Sequence, residues 1–237
     1  MEVLVELVPK KLSKFVEILR EVSNYADGVD IPDSPLGKPS PSSPVVSGAI
    51  KALYPNLKVI AHIRLADINE LALLAQIKAL TMLGVDGVVV TRGDQPAVGS
   101  STSNISSEQA LRIVRENLRS SVKLGAVLSL RYPREDILSR LRAGFDFFLV
   151  TRLSHESFEK FLDICETARH YGTKLYPYVI IATDKNVDIM KILSQPYVKA
   201  DEVPRFVDRL RGVVDGVVLS CPRDYETLLN LLKSITA

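Results

Sequence analysis

Two cysteines, three histidines and no tryptophan among 237 residues leave little that could hold a metal or cross-link the chain. Cys165 and Cys221 fit neither a disulfide framework nor a zinc site, and Cys165 lies in a helical pattern that reads as core. His62, His155 and His170 are scattered, the last on an expected helix surface, so no metal site is predicted. Neither a G-x-G-x-x-G nor a Walker sequence occurs, which removes the usual Rossmann and phosphate-loop sites. Signatures of Ser and Cys nucleophiles are missing too. A net charge of +2 without a long basic run argues against a nucleic-acid partner. Apolar runs are strand-sized, so no membrane span is expected. The chain reads straight into a strand, so no signal peptide is expected and the cytoplasm is the default location.

What is present is ordinary for one large α/β domain over residues 1–237, with 46% hydrophobic and 24% charged residues. An internal echo recurs as Ala26-Asp27-Gly28-Val29, Val85-Asp86-Gly87-Val88, Phe145-Asp146-Phe147-Phe148 and Val214-Asp215-Gly216-Val217. Its Asp positions lie roughly 60 residues apart, a little more for the last interval. One βα unit takes about 30 residues, so the echo marks every second unit. Strands between the echoes are read at Val3–Val8, Leu57–Arg64, Val122–Leu130 and Thr173–Ile181. Eight strands alternating with helices predict an α/β fold of the (β/α)₈ TIM-barrel type. Ser106 with Gln109, and Asp67 with Glu70, predict capping pairs at two helix starts. Phe158, Phe161, Leu162 and Cys165 fall at helical spacing. Long loops follow two strands, residues 33–43 and 95–104, on the face where such barrels work.

The strand ends carry the candidate chemistry. Glu6 sits in the apolar run Val5-Glu6-Leu7-Val8, where a carboxylate is paired, protonated or aimed into a polar cavity. The third strand offers His62 and Arg64, and the fourth ends in Thr91-Arg92-Gly93-Asp94-Gln95-Pro96. Arg131 and Tyr132 follow the fifth, Arg152 and His155 the sixth, and Thr183 and Asp184 the seventh. Two carboxylates among several arginines point to an anionic ligand and an acid–base step.

Four segments in order, Val5-Glu6-Leu7-Val8-Pro9-Lys10, Asp30 to Gly37, Ala61 to Asp67 and Thr91 to Pro96, resemble methylenetetrahydrofolate reductases. Arg142-Ala143-Gly144-Phe145-Asp146 is similar to that family's approach to strand six. The resemblance implies a short, divergent member of a family of flavin-dependent barrels. It makes Glu6 the general acid and Asp94 the carboxylate facing the pterin and tuning the flavin. His62, Arg92, Gly93, Asp94 and Arg140 become FAD contacts, Arg140 standing where the family has a Lys. Arg64, Gln95 and Arg152 become substrate contacts. Departures are Arg152 for a folate-binding Gln, Leu128 for an aromatic or Asn on strand five, and Leu7 and Val8 for phenylalanines.

The activity this implies is reduction of 5,10-methylenetetrahydrofolate, or a related methylene-tetrahydropterin, to the 5-methyl form. Reduced nicotinamide (NADH or NADPH) supplies the hydride through FAD, within one-carbon metabolism and methionine biosynthesis. Leu128 and the shortened barrel speak for an alternative reductase without flavin, in which nicotinamide transfers hydride directly. A non-catalytic pterin-binding or interaction subunit is the third reading. The expected partner is a small-molecule folate or tetrahydropterin, with self-association left open.

Overall fold

Valine and isoleucine runs that only burial could satisfy become parallel strands in the computed structural model, which describes residues 1–236. In chain order the elements are β1 (Glu2–Glu6), α1 (Leu12–Val22), β2 (Gly28–Ile31), α2 (Ser43–Leu53), β3 (Lys58–Arg64) and α3 (Glu70–Met82). Next come β4 (Gly87–Thr91), α4 (Ser107–Asn117), β5 (Lys123–Ser129), α5 (Arg134–Leu141), β6 (Phe147–Thr151) and α6 (Phe158–His170). The chain ends with β7 (Lys174–Ala182), α7 (Val187–Leu193), β8 (Val198–Lys199), α8 (Val203–Asp208), β9 (Gly216–Ser220) and α9 (Tyr225–Thr236). The strand order is β6-β5-β4-β3-β2-β1-β9-β7-β8, and β6 also pairs with β7. Eight strands thus close into a (β/α)₈ barrel, as the alternation predicts. The two-residue β8, which the sequence pattern does not predict, pairs in parallel with the end of β7 through Ile181↔Val198. The eighth barrel strand is therefore β9. Among the described residues no helix is long and apolar enough to cross a membrane.

By their own contacts the residues form two compact units. One holds residues 7–15 and 28–127. In it β2, β3 and β4 run in register through Asp30↔Ile60, Ala61↔Val88 and Ile63↔Val90. Val59, Ala61 and Ile63 are fully buried on one face of β3, and alternation puts Ile60, His62 and Arg64 on the other. The other unit holds residues 1–6, 16–27 and 128 onward. There β9 pairs with β1 through Leu4↔Val218 and with β7 through Tyr178↔Val218.

Three of the four echoed aspartates share a structural task. Asp27 Oδ2 accepts from the Val3 amide at 2.7 Å, Asp86 Oδ2 from Val59 at 2.9 Å, and Asp215 Oδ2 from Leu175 at 3.0 Å. Each carboxylate takes an amide at the start of an odd-numbered strand, which otherwise would be left unpaired. This explains why the motif recurs every second unit.

Helix starts bear out one capping pair and correct the other. Ser106 Oγ accepts from Gln109 N at 3.1 Å while Gln109 Oε1 accepts from Ser106 N at 2.8 Å, the reciprocal box ahead of α4. Ahead of α3, however, Asn69 is the cap, its Oδ1 accepting from Ala72 N at 2.9 Å. Asp67 is drawn off by Arg64, which binds it at 2.6 Å. In α6, Phe158, Phe161 and Cys165 are buried and His170 is exposed. Burial pushes the Cys165 and Cys221 thiols up to about 12.

Candidate functional site

In the unit that carries β2, β3 and β4, polar groups gather where those strands end. Asp30 is fully buried and His62 is 7% exposed, and His62 Nε2 lies 2.8 Å from Asp30 Oδ1. Alternation explains the meeting, since Asp30 lies opposite Ile60 and His62 is the next residue on that face. Ser43, opening α2, ties the strands from the side. Its Oγ donates to the Ile31 carbonyl at 2.6 Å and accepts from the His62 amide at 2.9 Å.

Arg64 is buried and already occupied. Its guanidinium binds both oxygens of Asp67, at 2.6 and 3.3 Å, and the Asp94 carbonyl at 3.0 Å. The Asp67 hydrogen bond raises its pKa further, so it stays charged. Burial raises the Asp33 carboxyl against the hydrogen bond it takes from the Arg64 amide at 3.3 Å.

The two long loops interlock above this cluster. Ser34, Leu36 and Gly37 have φ of 42, 59 and 68°, all left-handed. This sharp turn aims the Leu36 amide at Asp94 Oδ2, 2.9 Å away, and lets Gly37 O accept from Ala97 N at 2.9 Å. A Cβ on Gly37 would lie 1.9 Å from the Gln95 carbonyl oxygen. Gly37→Ala is therefore expected to cost at least about 1–2 kcal/mol from its backbone alone, with the Gln95 clash added. Thermal melting reads this, and an unchanged Tm would mean that the loops do not meet as described.

The fourth-strand loop itself is exposed. Arg92 reaches Asn104 Oδ1 at 3.3 Å, and Asp94 and Gln95 face solvent. Gly93 has φ of 82° and lies against Arg64, whose Nη1 would be 2.5 Å from an added Cβ.

In the unit that carries β1 and β9, Glu6 is the last residue of β1 and is half-buried. Ser220, the last residue of β9 and 4% exposed, donates its hydroxyl to Glu6 Oε2. Lower on the same face of β1, Glu2 Oε2 accepts from Tyr176 Oη at 2.9 Å. Arg152 leaves the carboxyl end of β6 with φ of 68°, held by Ser157 Oγ donating to its carbonyl at 3.1 Å. A non-glycine residue in this region stores strain, and the Ser154–Ser157 turn fixes it there. Leu128 is fully buried in β5. Arg140 is elsewhere: it lies in the last turn of α5, beside the turn that enters β6, whereas Arg152 leaves the opposite end of that strand.

Within single units the structure thus joins His62 to Asp30, and Arg64 to Asp94 and Gly93, but keeps Arg140 from Arg152. Among the expected FAD contacts of the unit that carries β2, β3 and β4, His62 is buried with Asp30 on its Nε2 and Gly93 is backed by Arg64. Arg92 alone remains as an exposed cation.

Reading the sequence missed Asp30, Ser43 and Ser220. Asp30 gave the same signal as Glu6, a carboxylate between apolar residues, in Val29-Asp30-Ile31. Ser220 gave a weaker one, a hydroxyl closing the run Val217-Val218-Leu219. Compared with known families and curated proteins, the chain matches no family model and no curated relative.

Proposed function

We propose that this chain reduces a methylene-tetrahydropterin such as 5,10-methylenetetrahydrofolate to its 5-methyl form, with reduced nicotinamide as the hydride donor. The observation that carries the reading is Glu6 at the carboxyl end of β1 with the Ser220 hydroxyl on its Oε2. A hydroxyl can donate to a carboxylate or accept from a carboxyl, so this contact serves Glu6 before and after it gives up a proton. In the proposed step Glu6 protonates the ring nitrogen that departs as its bond to the methylene carbon breaks. The resulting iminium carbon accepts hydride, and the nicotinamide is oxidised. Arg152, which leaves β6 in the same unit as Glu6, is assigned to the substrate's polar tail.

The placement of Arg140 and His62 favours direct transfer from nicotinamide over transfer through FAD. An absorbance spectrum of the purified chain, repeated after NADH or NADPH and then after methylenetetrahydrofolate, tests this. The expected result is no flavin band and nicotinamide oxidation only once the pterin is present. A yellow protein bleached by NADH alone would return the reading to FAD. Pterin binding without oxidation of either nicotinamide would make the chain a binding subunit.

A further inference from the structure

A cleft of about 670 Å³ lies between the start of α3 and α4, a volume within the usual range of small-molecule sites. Residues 102–105 of the loop after β4 close it at one end. The side of α4 that lines it is Gln109, Arg112, Ile113 and Glu116, one stripe at helical spacing. These walls are fixed by their own hydrogen bonds. The Thr102 and Ser103 amides both donate to the Ala66 carbonyl, at 2.7 and 3.2 Å, and Asn104 Oδ1 accepts from Arg92 at 3.3 Å. The caps of α3 and α4 hold the two helix starts and spend Asn69 Oδ1 and Gln109 Oε1.

The charged groups of the cleft are not spent. Among the described residues Arg112, Glu70 and Glu116 make no hydrogen bond or ion pair. Other exposed arginines of the chain do find carboxylates, Arg134 at Asp163 and Arg211 at Asp208. Arg112 and Glu116 stand one turn apart on α4, a spacing that sets Cβ atoms about 5–6 Å from each other. An exposed pair of this kind gains little by closing, so a ligand that brings both charges can take its place.

This set of charges selects among ligands. Two carboxylates against one guanidinium make the cleft net negative, which disfavours phosphate or any bare anion. No cluster of His, Cys, Asp and Glu among the described residues could hold a metal ion, and a lone cation would leave Arg112 unanswered. A neutral sugar would cover all three charges without pairing them. A small zwitterion with its charges on neighbouring atoms answers each one. Its carboxylate fits the fork of the Arg112 guanidinium. Its ammonium has three protons to donate, enough for both Glu70 and Glu116. Ile105 and Ile113, both half-buried, then remain for an apolar side chain.

We infer that the cleft binds a free α-amino acid with a short aliphatic side chain, its carboxylate on Arg112 and its ammonium between Glu70 and Glu116. Binding here needs neither pterin nor nicotinamide.

Calorimetric titration of the full chain with L-leucine tests this. Two charge-assisted contacts place the expected Kd on the order of 1 mM. Isopentylamine is leucine without its carboxylate, and 4-methylpentanoate is leucine without its ammonium. Each should bind at least about tenfold more weakly than leucine. Arg112→Gln and Glu116→Gln alter exposed positions and keep most of the side chain, so the thermal transition should not move. Each variant should still weaken leucine binding by about tenfold or more. A parent chain that takes up no L-leucine at about 20 mM overturns the inference. So does leucine binding that either analogue equals, or that either variant retains at parental strength.

Discussion

Glu6→Gln is expected to lower methylene-pterin reduction by at least about 10²–10⁴-fold, the usual worth of a general acid. Glutamine keeps the length of the side chain and a hydrogen bond to the Ser220 hydroxyl, which can donate or accept. It has no proton to give at the pH of the assay, so the bond to the departing ring nitrogen must break without protonation. Because the shape is retained, the thermal transition should move little, within about 0.5–1.5 kcal/mol for one altered hydrogen bond. Nicotinamide binding, followed by fluorescence titration, should also be unchanged, since that step needs no proton donor. The variant therefore separates chemistry from folding and from cofactor affinity. Near-parental turnover in Glu6→Gln would make Glu6 a structural carboxylate paired with Ser220, and protonation of the pterin by Glu6 would no longer stand.

The barrel was legible because parallel strands are buried on both faces and must be written almost entirely in Val, Ile and Leu. Val88-Val89-Val90 and Val217-Val218-Leu219 admit no other placement. The echo of Asp before alternate strands carried the strand count, and its cause, amides at the starts of β1, β3 and β7, appears only once those strands are neighbours. The two-residue β8 left no signal because two residues have no periodicity. The Asp67–Glu70 pair failed for a tertiary reason. Capping spacing describes what a carboxylate could do locally, and the Arg64 guanidinium outcompeted the helix for Asp67.

The candidate site was legible as a set of positions, less so as a set of tasks. Glu6, His62, Arg92, Asp94 and Arg152 were found because each interrupts or ends an apolar run. What a polar side chain binds depends on partners distant in sequence. Arg64 could be placed as a substrate contact from its position on β3, but its guanidinium is buried against Asp67 and the Asp94 carbonyl. Arg140 keeps the charge of the family's Lys, yet the helix that carries it ends at the entry to β6. The left-handed turn through Ser34, Leu36 and Gly37 announced itself only in Gly37, since serine and leucine give no hint of positive φ.

Asp30→Ala is expected to be the most destabilising single change in this cluster. Asp30 is fully buried, and its loss leaves the His62 ring at 7% exposure without the oxygen now 2.8 Å from Nε2. Removing one partner of a buried charged pair costs about 3–5 kcal/mol, whereas a neutral buried hydrogen bond costs about 1–3 kcal/mol. The measured loss thus also reports whether His62 carries a charge. In a chain of this length 1 kcal/mol moves Tm by about 2–4 °C, so a charged pair predicts a fall of at least about 6 °C. Asp30→Asn, which keeps the shape and can still bond the ring, should lose less. The double variant Asp30→Ala, His62→Ala should cost less than the two single losses combined, because each single change strands the other partner. Chemical denaturation of the parent, the two single alanine variants and the double variant measures this coupling. Strict additivity, or an Asp30→Ala variant with parental Tm, would show that the two side chains do not depend on each other, and His62 would then need another reason to be buried at the end of β3.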